Sequence, residues 1–152
     1  MRVFIVLSLL AVTLGHCRSP KHVTSPVKVV TKPVVPDRLL GRFVDDYGIA
    51  YTIMDSIWIQ QPGITYHILD WNTGEKFIIA RNDKKNPSEP DLYTRIDYTY
   101  FEGMAPYGWG FCLTVYNALS DSAAAASPAA DRANPRKGCN GFPFSRMKRA
   151  GQ

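Results

Sequence analysis

Between residues 40 and 119, apolar side chains recur at every second position in short runs separated by glycine, proline and asparagine. An extended chain points successive side chains to opposite faces, so each run reads as a strand with one buried face. In IAYTIMDSIWIQ, Ile49, Tyr51, Ile53, Ile57 and Ile59 share a face interrupted only by Asp55, which predicts a single strand ending at Gln61-Pro62-Gly63. ITYHILDW follows, with Ile64, Tyr66 and Ile68 together. Asn72-Thr73-Gly74 then predicts a three-residue hairpin into EKFIIAR, glycine supplying the positive φ that the returning chain needs.

LYTRIDYTYFEG alternates Ile96, Tyr98 and Tyr100 with Arg95, Asp97 and Thr99. GWGFCLTVYNAL sets Trp109, Phe111, Leu113 and Val115 opposite Cys112, Thr114 and Tyr116. With GRFVDDY at the start, these make about six strands on short links, the pattern of an antiparallel meander, either an open sheet or a small barrel. The expected class is mainly β. A barrel needs roughly eight strands before its interior can hold side chains or one small ligand, so about six weigh against a deep lipocalin-type cavity. LSDSAAAASPAADRANP predicts a short helix behind Ser120 and Asp121, ended near Pro128. GCNGFPFSRMKR, residues 138–149, suits a fixed loop that lays Phe142 and Phe144 on the last strand.

Behind Met1-Arg2, the run from Val3 to Gly15 is uncharged, and Arg18 and Pro20 end it. Residues 1–16 therefore have the layout of an export signal, and the run falls short of the roughly 20 apolar residues of a membrane-spanning helix. Leu14-Gly15-His16-Cys17 resembles a bacterial lipoprotein signal, except that His16 is bulky where that pattern has a small residue. Two readings of Cys17 stand: it carries a lipid, or ordinary cleavage falls after Gly15. Residues 17–39, with Pro20, Pro26, Pro33 and Pro36, read as an extended tether. Residues 40–149 read as a single small β domain.

The net charge of +5 is unevenly distributed. Residues 18–38 carry five basic side chains against one acidic, residues 131–149 six against one, and residues 39–130 six against eleven. An acidic body with basic ends argues against a groove for nucleic acid. Basic ends can still lean on an anionic lipid surface at about 1 kcal/mol per residue. Three cysteines in an exported chain leave one spare. With Cys17 lipidated or removed, Cys112 and Cys139 remain as a pair; a bridge between them closes a loop of about 28 residues, worth roughly 3.5 kcal/mol on a chain-entropy argument.

WGFCLTVYNA, the alanine-rich segment with Ala130-Asp131-Arg132, and GCNGFPFSRM together resemble the C-terminal half of small uncharacterised bacterial secreted or lipoprotein-type proteins. The likeness runs from near Gly41 to Arg149. It implies export and a cysteine pair, and it transfers no activity.

Catalysis needs a nucleophile with a base, two opposed carboxylates or a metal-ligand set. His16 falls in the signal and His22 in the tether, which leaves His67 in the body without a partner visible in the sequence. Asp45 and Asp46 are neighbours on a strand and point apart. Arg95 and Asp97 share a face, predicting a surface ion pair worth at most about 1 kcal/mol. The cysteine spacings are not those of zinc sites, so no catalytic residue, metal or cofactor is expected. Trp58 and Trp71 fall opposite the better apolar rows and are candidates for an exposed contact patch for a protein or glycan partner. The expectation is a non-enzymatic binding or structural protein of the bacterial cell envelope, secreted or held at the membrane surface by lipid on Cys17. The alternatives are a lipocalin-like carrier of a small apolar ligand and an envelope hydrolase built around His67.

Overall fold

The computed structural model describes residues 34–151. Among them are the strands β1 (Gly41–Asp45), β2 (Ala50–Ile53), β3 (Ile57–Gln60), β4 (Ile64–Asn72), β5 (Phe77–Asn82), β6 (Tyr93–Tyr100), β7 (Trp109–Ala118) and β8 (Ser145–Arg149). Each pairs antiparallel with the next, and β8 pairs with both β7 and β1, which closes a barrel. One short helix, α1 (Asp121–Ala125), lies between β7 and β8. Ser120 caps it by accepting the Ala123 amide at 3.1 Å, as its sequence predicts.

The structure has eight strands where the sequence suggests about six. One extra strand comes from residues 49–60, which are a hairpin and not a single strand. The chain turns after Ile53, and the Met54 amide donates to the Ile57 carbonyl at 2.8 Å. The other is β8, taken from a tail that composition assigns to a loop. In Ser145–Arg149, Met147 faces inward, fully buried, while Arg146 is exposed and Lys148 half-buried.

Both tryptophans expected on the surface are buried, for one reason: an irregularity shifts the strand's phase ahead of each. In the β2–β3 hairpin Ile53 stands opposite Trp58, so Trp58 joins Tyr51 and Ile53 inside while Ile57 and Ile59 turn outward. In β4 a bulge at Leu69 separates the pairs Ile68↔Ala80 and Asp70↔Ile79, so Leu69 is exposed and Trp71 turns inward against Ile78. The predicted β4–β5 hairpin forms, with Asn72 opposite Phe77. Its positive φ falls on Lys76 at 58°, not on Gly74, and the Asn72 side chain accepts the Glu75 amide at 2.8 Å.

An eight-stranded barrel has an interior just wide enough for side chains to fill, and large rings fill this one. Trp58 packs edge-on against Phe111 at 5.0 Å and Trp109 at 6.0 Å between centroids, and Phe43 meets Trp109 at 5.2 Å. Such edge-to-face pairs each add about 0.5–1.5 kcal/mol beyond the burial of area. The packed body begins slightly before residue 40: Asp37–Leu39 makes a 3-10 turn whose Leu39 joins the core.

Burial raises the pKa of interior phenols by disfavouring the phenolate. It pushes Tyr66 and Tyr98 up to about 12. Burial, reinforced by its bond to Asp45, pushes Tyr51 further still. An exposed tyrosine ionises near 10, so the stability owed to these neutral phenols is whole below about pH 10 and is lost as pH climbs through about 12. The phenolate absorbance of Tyr51, Tyr66 and Tyr98 is therefore expected to appear only as the far-ultraviolet signal of the barrel disappears. Its appearance near pH 10 with the barrel intact would contradict this packing.

Candidate functional site

A closed barrel removes sheet edges but leaves each strand's outward face to be solvated or covered. Over β5, β6 and β7 it is covered. Phe77 and Ile79 on β5 pack with Val115 of β7 and Ala124 of α1, Val115 turning outward because β7 bulges against Arg95 and Ile96. Arg95 and Asp97, which alternation places outward, are not the solvent-exposed pair that spacing suggests. They are 3% and 0% exposed, because α1 and the chain after it lie across them.

Asp97 is the hub of this layer. Its carboxylate accepts Arg95 Nε at 2.9 Å and Nη2 at 3.2 Å, Thr114 Oγ1 at 2.7 Å, and Arg132 Nη2. Arg95 Nη1 donates to the carbonyls of Ala125 at 2.7 Å and Ser127 at 3.1 Å, at the negative end of α1. Arg132 also reaches the carbonyls of Tyr98 at 3.0 Å and Lys76 at 2.9 Å. Two guanidinium groups thus share one carboxylate, and backbone oxygens take Arg95 Nη1 and Arg132 Nε.

The Cys112–Cys139 disulfide fastens the same layer, and Cys112 is the register partner of Asp97 on the neighbouring strand. Beside it, a Cβ on Gly138 would lie 1.9 Å from the Asp131 carbonyl oxygen, so the loop closes this tightly only on glycine. Phe144 is buried against Cys112 and Ala130. Phe142, expected beside it, is 72% exposed.

The other expected site residues do not assemble. Cys17 and the tether up to residue 33 lie outside the described residues. Trp58 and Trp71 are 1% and 5% exposed and make no contact patch, and the Trp71 indole donates to the Asp55 carbonyl at 2.7 Å. His67 does meet an acid, Nε2 lying 2.7 Å from Asp83 Oδ2 at an exposed position. The Lys85 amide, then His67, hold the Asp83 carboxyl below its usual range. The shallow depression around them is lined, among the described residues, by Arg81, Asn82, Lys84 and Asp91, none of which carries a hydroxyl or thiol. Asp45 accepts the Tyr47 and Ile49 amides and the Tyr51 hydroxyl, while Asp46 pairs with Arg146 at 2.8 Å.

With the interior filled, concave surface lies at the barrel ends and on the outer wall. One hollow, of about 670 Å³, runs beside β8 between Tyr47, Phe101, Met104, Phe144 and Arg136, with the Asp46–Arg146 pair at its side. Its size suits a small ligand or a segment of polypeptide. Sequence reasoning misses it because its walls come from three loops far apart in the chain. Comparison with protein-family models, curated proteins and solved structures finds no match.

Asp97→Ala leaves the buried Arg95 guanidinium without its counter-charge, and breaking a buried pair from one side costs about 3–5 kcal/mol. Urea unfolding of this variant should show a loss of that size. A loss under about 1 kcal/mol, the value of an exposed pair, would show that the layer does not depend on Asp97.

Proposed function

We propose that this chain is an exported protein of the bacterial cell envelope whose role is binding or structural. The observation that carries the reading is the Cys112–Cys139 disulfide. A bond of this kind persists in oxidising compartments and is rare where glutathione keeps thiols reduced. The export-signal layout of residues 1–16, the odd third cysteine at Cys17 and the resemblance to small secreted or lipoprotein-type proteins support the same compartment. In this reading Cys17 either carries lipid that holds the protein at a membrane surface or lies near the cleavage point. The hollow beside β8, with Tyr47 exposed at its edge and Phe142 exposed on the neighbouring loop, offers the area for a protein or glycan partner.

A second reading, a carrier of a small apolar ligand, draws support from the closed eight-stranded meander shared with lipocalin-type barrels. The strand-count argument against it falls away, but Trp58, Trp109 and Phe111 occupy the space where such a ligand would lie. Binding in this reading therefore requires those rings to move.

Intact mass of the protein recovered from its native host, with and without reductant, tests the first reading. The expected result is a chain cleaved near residue 16, with or without an acyl mass on Cys17, gaining two hydrogen atoms only on reduction. An unprocessed chain in the cytoplasm with both body thiols freely alkylated would overturn it.

A further inference from the structure

A pocket of about 190 Å³ lies at the mouth of the barrel, at the end where β3 turns into β4. Gln60, Ile64, Tyr66 and Leu113 border it from inward-facing strand positions. Ile64, Tyr66 and Leu113 belong to the packed interior, and Gln60 stands two residues beyond buried Trp58 on β3, on the same face. The β5–β6 loop supplies the rim with Ser88 and Glu89, and Tyr116 of β7 completes it. None of the described residues that line the pocket is a cation.

Two buried amides fix this rim. Asn82, 3% exposed, donates Nδ2 to the carbonyls of Glu89 at 2.8 Å and Tyr116 at 2.9 Å, and its Oδ1 accepts the Thr94 hydroxyl at 2.5 Å. Asn86 clasps the Thr65 backbone, accepting its amide and donating to its carbonyl, both at 2.9 Å. Glu89 is held at a φ of 52°, a left-handed conformation that side chains disfavour and that lies outside the extended range favoured before a proline such as Pro90. The loop is thus pinned at the mouth by residues of three different strands.

Glu89 is the group that points to a ligand. It is half-buried, and its carboxylate has no hydrogen-bond or basic partner among the described residues. Glu75, Glu102 and Asp121 also lack a basic partner but are exposed, where water serves them. The sheltered acids Asp46, Asp83 and Asp97 each meet a basic side chain, and Asp45 takes two amides and a hydroxyl. Withdrawing a charge from water without a partner is unfavourable, and Glu89 is sheltered beside a pocket that brings it no cation. Deeper in, the Tyr66 hydroxyl makes no hydrogen bond among the described residues yet is not sealed from solvent, and the opening that Tyr66 borders is this one. The Gln60 amide is likewise unpaired among them.

We propose that the barrel mouth binds a small primary amine in its ammonium form. The ammonium donates to the Glu89 carboxylate and to the side-chain oxygens of Gln60 and Tyr66, three acceptors for its three N–H bonds. The ligand's apolar body rests on Ile64 and Leu113. The volume falls below the roughly 300–1,000 Å³ of drug-sized sites, which limits the ligand to about one ring or a short chain. Binding here leaves Trp58, Trp109 and Phe111 in place, unlike the carriage of an apolar ligand in the interior. Neither the compartment nor the hollow beside β8 enters the argument, so the site goes beyond the proposed function and holds or fails separately from it.

Butylammonium is the probe and butanol its neutral counterpart, added at constant ionic strength to the purified, disulfide-intact protein labelled with nitrogen-15. Butylammonium is expected to move the Gln60 side-chain amide resonance and the backbone amides of Tyr66, Ser88 and Glu89 saturably, while butanol leaves them in place. Glu89→Gln keeps the shape of the rim and removes its charge, and it should weaken binding at least about tenfold with the barrel spectrum unchanged. Glu102→Gln, in the β6–β7 loop at the opposite end of the barrel, should bind as the parent does. The proposal is overturned if those resonances stay put, if butanol moves them equally, or if the two variants bind alike. Saturable binding of methyl glucoside at these residues, with butylammonium without effect, would equally overturn it and give the mouth to a neutral sugar.

Discussion

A buried carboxylate with two guanidinium groups on it carries this architecture. Asp97 stands on the outer face of β6, where solvent would ordinarily hydrate it, and is instead enclosed by Arg95, Thr114 and Arg132. Removing such charges from water is expensive, and the arrangement persists only if nearly every donor finds an oxygen. Here the carbonyls of Ala125, Ser127, Tyr98 and Lys76 complete the set. Those carbonyls belong to α1, the chain just after it, β6 and the β4–β5 turn. Satisfying one carboxylate's surroundings thus fixes where the covering segment must lie.

That segment's position decides whether the barrel closes. Between β7 and β8 the chain leaves the sheet, crosses the outside of β5–β7 and returns to pair β8 with β7 and β1. The Cys112–Cys139 bond and the Asp97 hub pin the crossing at neighbouring points. A disulfide closing a loop of this length contributes roughly 3–4 kcal/mol, comparable with the hub. The same closure brings Lys148 and Arg149 beside Arg38, concentrating charges that lie more than a hundred positions apart in the sequence.

Much of the fold is legible in the sequence because alternation and turn chemistry are local. The mainly β class, the antiparallel order, the hairpin at Asn72, the cap at Ser120 and the cysteine pair come from residues within reach of one another or from simple counting. Phase is where local reading fails. A turn at residues 54–56 and a bulge at Leu69 each reverse the face presented by the next residues of the strand, and they carry Trp58 and Trp71 from the expected surface to the core. The strand in SRMKR is hidden by its charges, since only Met147 faces inward. The burial of Arg95 and Asp97 is illegible for a different reason: the cover that encloses them arrives from about thirty residues away. The hollow beside β8 depends on that return of the chain, so it does not appear before the barrel is closed.

The central claim, that the Asp97 contacts hold the cover and the cover holds β8, is tested most directly by amide hydrogen exchange in the parent and in Arg132→Met with the disulfide intact. The account predicts lost protection confined to the cover and to Ser145–Arg149, with β3, β4 and β5 unchanged. Parent-like protection of β8, or a loss spread evenly around the barrel, would contradict it.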